Sequence, residues 1–154
     1  MIKINSGLFK LAMSKFATGV TVISMNKRNE YLGKTVNSFA SLSLNPPLIL
    51  FSLDKNSSSI KEYTLDTLIG VNILSYNQKR ISRYFSTKKP HWGITKFFLT
   101  KKKIPMIKGC LVNIDCQIKK KIKQGDHIIF ICKVNHILID DKKKPLIYLN
   151  SNYI

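Results

Sequence analysis

Acidic residues are scarce in this chain of 154 residues, which holds only 8 Asp and Glu against 26 Lys and Arg. Paired-carboxylate catalysis therefore has little to draw on, and no Ser, His and carboxylate set marks a hydrolytic triad among the 3 histidines. Neither Gly-x-Gly-x-x-Gly nor Gly-x-x-x-x-Gly-Lys occurs, which removes the two commonest phosphate-cradling loops. Cys110, Cys116 and Cys132 are odd in number and lack Cys-x-x-Cys spacing, so a zinc ribbon or dithiol redox motif is excluded. His127 and His136 stand at no ligating spacing to them, so the cysteines are expected to be buried thiols and no metal is expected. No apolar run approaches the ~18 residues of a spanning helix, and Met1 to Asn5 carries no signal-peptide pattern. The expectation is a cytoplasmic protein without a membrane partner, folding as one domain over residues 1–154 because no linker divides it.

What is abundant is positive charge, a net +18. Clustered basic residues neutralise phosphates and invite a nucleic-acid reading. Against it, only 3 of the 26 basic residues are Arg, the side chain favoured for base-edge and bidentate phosphate recognition. The runs Lys101–Lys103, Lys119–Lys121 and Lys142–Lys144 are expected at solvated turns and carry no interleaved aromatics. No nucleic-acid partner is expected; a basic nucleic-acid-binding barrel is the remote alternative, and a steep salt dependence would betray it.

Along the chain, Ser6 precedes apolar Leu8, Phe9, Ala12, Met13 and Phe16 at helical spacing, predicting a short amphipathic helix ended by Gly19. Val20 to Met25, polar Asn26 to Glu30 and Tyr31–Leu32–Gly33 predict a hairpin. Asn45–Pro46–Pro47 is read as an extended turn before an apolar strand from Leu48 to Leu53. Ser59 with Glu62, and Ser75 with Gln78, have capping-box spacing and predict two helix starts, the second with Ile81, Tyr84 and Phe85 on one face. Ile69–Leu74, Cys110–Ile118, His127–Ile139 and Leu146–Leu149 read as strands, Cys110–Ile118 with one face buried. So many strands with few short helices predict a mainly β, antiparallel barrel.

The run from Leu53 to Ser59 places a hydroxyl-rich loop with Lys55 between a buried strand and an expected helix start. N–H groups at such a start, with serine hydroxyls and an ammonium, can hold a phosphate; plain serine capping explains the same residues. A protein poor in acid–base residues suits hydride transfer, where cofactors carry the reactive atoms.

The motifs Phe16–Ala17–Thr18–Gly19–Val20–Thr21–Val22, Gly33 with Thr35–Val36–Asn37–Ser38–Phe39, Pro46–Pro47–Leu48, Leu53–Asp54–Lys55 with Ser57–Ser59, Val71–Asn72–Ile73–Leu74, Gly125–Asp126–His127 and Pro145–Leu146–Ile147–Tyr148 follow in one order. Their sequence and spacing resemble the flavin reductase family, the reductase components of two-component flavin monooxygenases, from about Phe9 to Tyr153. The resemblance implies an FMN-binding split β-barrel working as a homodimer, with FMN, or FAD in some members, and NADH or NADPH as co-substrate. It implies a flavin ring along Thr35, Val36, Asn37 and Ser38 and the strand end Ser52–Leu53, its phosphate on Lys55, Ser58 and Ser59, and Phe85 packed nearby. His127 is the implied catalytic-site residue, for nicotinamide positioning or a polar contact. A partner monooxygenase would receive the reduced flavin. A flavin-binding sensor or carrier without turnover is the alternative of a different class. Two departures stand out: Lys34 occupies a position where Met or Ala is common in the family, and Lys88 to Gly93 follows the usual Phe-x-Gly pattern only loosely.

Overall fold

The computed structural model describes residues 3–88 and 90–154, so the readings that touch Met1, Ile2 and Lys89 fall outside the described residues. Helix α1 (Ser6–Ser14) forms as predicted, with two differences at its ends. Asn5 caps it, its Oδ1 accepting from Leu8 N at 2.8 Å, which satisfies one of the orphan donors of the first turn. It stops at Lys15 rather than Gly19, which lies in β1 (Thr18–Gly19). None of its residues is buried; Phe9 is 53% and Phe16 73% exposed.

β2 (Thr21–Lys27) and β3 (Glu30–Val36) make the predicted hairpin. Arg28 and Asn29 join them at φ of 50° and 69°, the left-handed pair whose twist matches the flanking strands. β4 (Ala40–Ser43) leads through a turn with a cis Asn45–Pro46 bond into β5 (Leu48–Asp54). β6 (Leu68–Ile73) precedes α2 (Lys79–Phe85), entered through the expected capping box, with Ser75 N donating to Gln78 Oε1 at 3.0 Å. β7 (Phe97–Leu99) and β8 (Pro105–Ile107) form a short ribbon. The long hairpin β9 (Val112–Gln124) and β10 (His127–Ile139) follows, and β11 (Ile147–Leu149) and β12 (Asn152–Tyr153) close a small sheet with β1.

Seven strands run in the order β3-β2-β6-β9-β10-β5-β4, each antiparallel to its neighbours. This is the mainly β antiparallel architecture expected. One face wraps a core of Ile23, Met25, Phe51, Tyr63, Cys116 and Phe130, with Phe51 and Phe130 stacked at 5.0 Å between centroids. A second core, with Val22, Leu74, Phe85, Trp92 and Leu146, lies where α2 and β11 cover the sheet. β3 is an edge of the sheet.

At the middle of the sheet the fully buried Asn72 uses all of its amide. Its Nδ2 donates to Val22 O and to Ser24 Oγ, both at 2.9 Å, and its Oδ1 accepts from Ile107 N and Asn113 Nδ2, both at 2.8 Å. A side-chain amide offers two donors and one acceptor oxygen with two lone pairs, so nothing is left bare.

Three expectations need correction. Ser59 opens only a single 3-10 turn, Ile60–Glu62, without a side-chain cap bond; Tyr63 follows at ψ 77° and buries its ring against Phe51 and Phe130, which pulls the chain out of helical geometry. The second face of β9 is also covered, since Asn113 and Asp115 are buried at 8% and 5% exposure; Asn72 and Ile107 O bond Asn113, and His136 Nδ1 meets Asp115 at 3.1 Å. Lys119–Lys121 lie within β9 rather than at a turn, because the hairpin runs on beyond the core. The three cysteines are free and buried as expected, and burial pushes the Cys110 and Cys132 thiols up to about 12. Among the described residues no helix is long and apolar enough to cross a membrane, and no cluster of metal-ligating side chains occurs.

Candidate active site

The edge strand β3 borders two clefts. At its C-terminal end a cleft of about 230 Å³ is lined by Val20, Thr35, Val36, Asn37, Ser82 and two tyrosines, Tyr148 and Tyr153. Thr35 Oγ1 donates to Ser82 O at 2.8 Å, which ties β3 to α2. Ser82 Oγ and the Tyr153 hydroxyl are 2.8 Å apart. Lys79 and Arg83 each lie 5.6 Å from the Tyr153 ring centroid, cation–π distances that steady the ring. Tyr148 meets Tyr153 edge-on at 5.2 Å. The wall is thus a braced aromatic pair facing the hydroxyl and amide groups of Thr35 and Asn37.

The second cleft, about 410 Å³, runs along the rest of β3, from Glu30 to Lys34, opposite Ser58, Ser59 and Glu62. Lys34 Nζ lies 3.3 Å from Ser86 O and 3.4 Å from Thr87 O, at the carbonyl end of α2. Ser58 Oγ donates to Lys88 O at 3.0 Å. In the loop before it, the Ser57 hydroxyl is buried and has no hydrogen-bond partner among the described residues. A buried hydroxyl left unpaired is costly, and a ligand or ordered water at the loop would satisfy it.

Just beyond β3, Ser38 bonds the backbone of Ser52 in β5. Its Oγ donates to Ser52 O at 2.9 Å and accepts from Ser52 N at 3.0 Å. That hydroxyl has committed its one proton, so donation to a flavin edge falls to Asn37, which is exposed, and to backbone N–H groups. Leu53 packs in the core at 3% exposure and lines neither cleft. Val36, 8% exposed, packs in the core and lines the smaller cleft from below.

Lys55 and His127 come together at the end of β5. His127 pairs with Asp54 across β5 and β10. Lys55 N donates to Asp126 O at 2.9 Å and its Nζ reaches Gly125 O at 3.5 Å. Gly125 takes φ 60° in this turn, a conformation that costs glycine little. His127 Nδ1 and Asp126 Oδ1 are 2.7 Å apart, and this bond holds the Asp126 carboxyl below its usual range. Lys55 therefore faces the Gly-Asp-His turn, while Lys27, Lys34 and Lys88 are the cations lining the cleft with Ser58 and Ser59. Phe85 is fully buried against Trp92 at 5.1 Å and under Gly33, where an added Cβ would lie 2.5 Å from its ring. It supports the floor of β3 and does not line either cleft.

The residues suit a flavin: an aromatic and hydroxyl-lined slot for a ring, with serines and lysines along the same strand edge for a phosphate. Tyr153, Ser82 and Lys34 were not assigned from sequence. Lys34 had a signal, its place directly before the Thr–Val–Asn–Ser run. Tyr153 had none, since only the pairing of β11 with β1 and β12 brings it to Ser82.

A family model described as a flavin reductase like domain matches residues 13–154. The FMN reductase (NADH) SmoA of Agrobacterium fabrum is 34% identical over 130 residues, which is 84% of this chain and 75% of the relative. HsaB of Mycobacterium tuberculosis, the reductase subunit of a flavin-dependent monooxygenase, is 30% identical over 154 residues, 98% of this chain and 82% of the relative. Among solved structures, the flavin reductase PheA2 superposes with a TM-score of 0.89 at 36% identity, over 98% of this chain and 97% of that one.

Proposed function

The chain belongs to the flavin reductase family, and on that premise we propose that it is a reduced-nicotinamide:flavin oxidoreductase whose ring site is the Thr35–Asn37 cleft. The observation that carries this reading is the succession along one strand edge of an aromatic, hydroxyl-lined slot and a serine and lysine cleft. Bound flavin would supply the two-electron acceptor for a hydride from the nicotinamide. The protein's part is binding, orientation and exclusion of water. Asn37 and backbone N–H groups would stabilise negative charge on the ring's polar edge, a preorganised electrostatic contribution. Tyr148 and Tyr153 would pack against the ring, and Ser58 and Ser59 with a lysine would hold the phosphate.

His127, at the end of β10 and 46% exposed, is the residue proposed to position the nicotinamide. Its bond to Asp126 fixes the imidazole and leaves Nε2 for a carboxamide. NADH is the donor expected, as in the Agrobacterium relative's name, and FMN or FAD the acceptor. Reduced flavin would pass to a partner monooxygenase, the assembly that the HsaB name describes.

The working form is proposed to be a homodimer of single-domain chains in the cytoplasm. In keeping with it, Phe9 at 53%, Phe16 at 73% and Leu44 at 95% exposure are apolar side chains that a second copy could cover. Free cysteines are in keeping with a reducing compartment. Sedimentation at twice the chain mass checks the dimer.

The experiment for the activity is steady-state oxidation of NADH and NADPH by the purified protein, with and without added flavin. Turnover that requires flavin is expected. No turnover with either nicotinamide at saturating flavin would overturn the assignment, and flavin binding without turnover would make the chain a carrier.

A further inference from the structure

Away from both clefts, the C-terminal end of β10 runs without a neighbour on one side. β5 pairs with β10 only from His127 to Lys133, and Val134 N then donates to Pro47 O at 3.0 Å. The register with β9 shifts between Val134 and His136, and from His136 to Ile139 the strand pairs with β9 alone among the described residues. Asp140 N donates to Leu111 O at 2.9 Å. Bonded and non-bonded pairs alternate along an antiparallel ladder, so Leu138 bonds across to Asn113 while Ile137 and Ile139 turn their N–H and C=O groups away from β9.

A bare edge of this kind is a template for another strand, and proteins usually blunt it with a charge, a proline or a bulge. Past the shift at Asn135 this edge carries Ile137, Leu138 and Ile139, exposed at 56%, 59% and 64%. Beside it lies a hollow of about 280 Å³ bounded by Phe98, Lys108, Leu138 and Lys143, with room for an incoming apolar side chain. It shares no lining residue with the clefts along β3.

Charge decides what fits. Lys133 precedes the edge and Lys142 and Lys144 follow it; all three are exposed, and none joins an ion pair among the described residues. The neighbouring carboxylates are engaged, Asp140 with Lys143 at 2.6 Å and buried Asp115 with His136 at 3.1 Å. A second copy docking edge to edge would bring the same lysines against these, an unfavourable like-charge meeting. Nucleic acid would meet the lysines but has no strand to offer the outward peptide groups. An extended acidic segment satisfies both, its backbone continuing the sheet and its carboxylates meeting the lysines.

We infer that the β10 edge at Ile137–Ile139 is a docking strand for an extended, acidic segment of another protein, bound by strand addition. This goes beyond the flavin reductase reading and does not depend on it.

The probe is a fluorescent peptide, Asp-Ile-Asp-Val-Asp-Ile-Asp, titrated by anisotropy against the full chain, alongside a counterpart with Lys at every Asp position and a short oligothymidylate. The acidic peptide is expected to bind and, in hydrogen exchange, to protect the Ile137 and Ile139 amides. Ile137→Pro removes an outward N–H without taking a bond from β9, and should weaken the peptide by about tenfold. The double variant Lys142→Glu/Lys144→Glu should weaken it by about the same factor at low salt, with flavin-dependent NADH oxidation unchanged. Exchange on the unaltered chain carries the test if Ile137→Pro does not fold. No binding of the acidic peptide, equal binding of its lysine counterpart, or protection elsewhere than at Ile137 and Ile139 overturns the inference. Tighter binding of the oligothymidylate, lost in the double variant, makes this a nucleic-acid surface and also overturns it. So does a folded Ile137→Pro chain that sediments at half the mass of the unaltered one, which would give the edge to a second copy. Peptide binding by a chain without flavin turnover would end the reductase reading and still support the docking strand.

Discussion

The two clefts along β3 differ as a slot differs from a trough. At the Thr35 end two braced tyrosines and hydroxyls face a space of about 230 Å³ whose lining has no charged side chain. At the Glu30–Lys34 end the trough is about 410 Å³ and carries lysines and glutamates. On the proposed reading one strand edge would sort a ligand by chemistry, the delocalised ring to one end and the ionic tail to the other. Affinity for the ring and affinity for the tail should separate under mutation.

The strongest way to break that separation is Gly33→Ala, because Gly33 lies between the two ends. Its new Cβ would stand 2.5 Å from the fully buried Phe85 ring and 3.4 Å from Trp92. Overpacking of this kind costs about 1–3 kcal/mol, so urea denaturation should show that loss and riboflavin and FMN should weaken together. Unchanged stability would mean that β3 yields without strain.

Lys34→Met sharpens the comparison. A charge-assisted bond is worth about 1.5–3 kcal/mol, so the FMN dissociation constant should rise by tenfold or more while riboflavin holds. Lys55→Ala should act in the same sense but less, since its ammonium leans on Gly125 O. The reverse order would return the phosphate to Lys55.

Tyr153→Phe removes the hydroxyl bonded to Ser82 Oγ and keeps the ring. All flavins should weaken alike, by about fivefold for one neutral hydrogen bond of roughly 1 kcal/mol. A loss confined to FMN would put the phosphate at the wrong cleft.

The smallest effect is a pH-linked control. The Cys110 and Cys132 thiols, raised from 9.0 to about 12 by burial, keep their protons when folded and ionise when unfolded. Their linkage leaves stability whole below the ordinary thiol value and drains it as pH climbs from there toward about 12. Thiol reagents at about pH 8 should therefore leave the native protein unlabelled. A cleft variant that labels has lost its fold and not merely its ligand.

Much of the architecture was legible because its signals are local. The β2–β3 hairpin shows in polar Asn26–Glu30 between apolar runs, and the Ser75–Gln78 capping box in four adjacent residues. Ser59 and Glu62 carried the same capping pattern and failed, since the pull of Tyr63 into the aromatic core is a tertiary effect that no local spacing records. Of the residues the sequence pointed to, Thr35 and Asn37 line the smaller cleft and Ser58 and Ser59 the larger. The aromatic wall of the smaller cleft was not legible, because Thr18 and Tyr148 become neighbours only through strand pairing. Nor was the division between Lys34 and Lys55, which depends on where each flexible ammonium finds a carbonyl.

Asn72 has a consequence for how the chain reaches this structure. A strand slipped by one residue would carry that amide away from Val22, Ser24, Ile107 and Asn113 at once. Four partners would be stripped in a dry interior, each at about 1–3 kcal/mol, and apolar neighbours would swing outward with it. The amide thus acts as a proofreader of assembly: a misthreaded sheet is rejected at its centre before either cleft can exist.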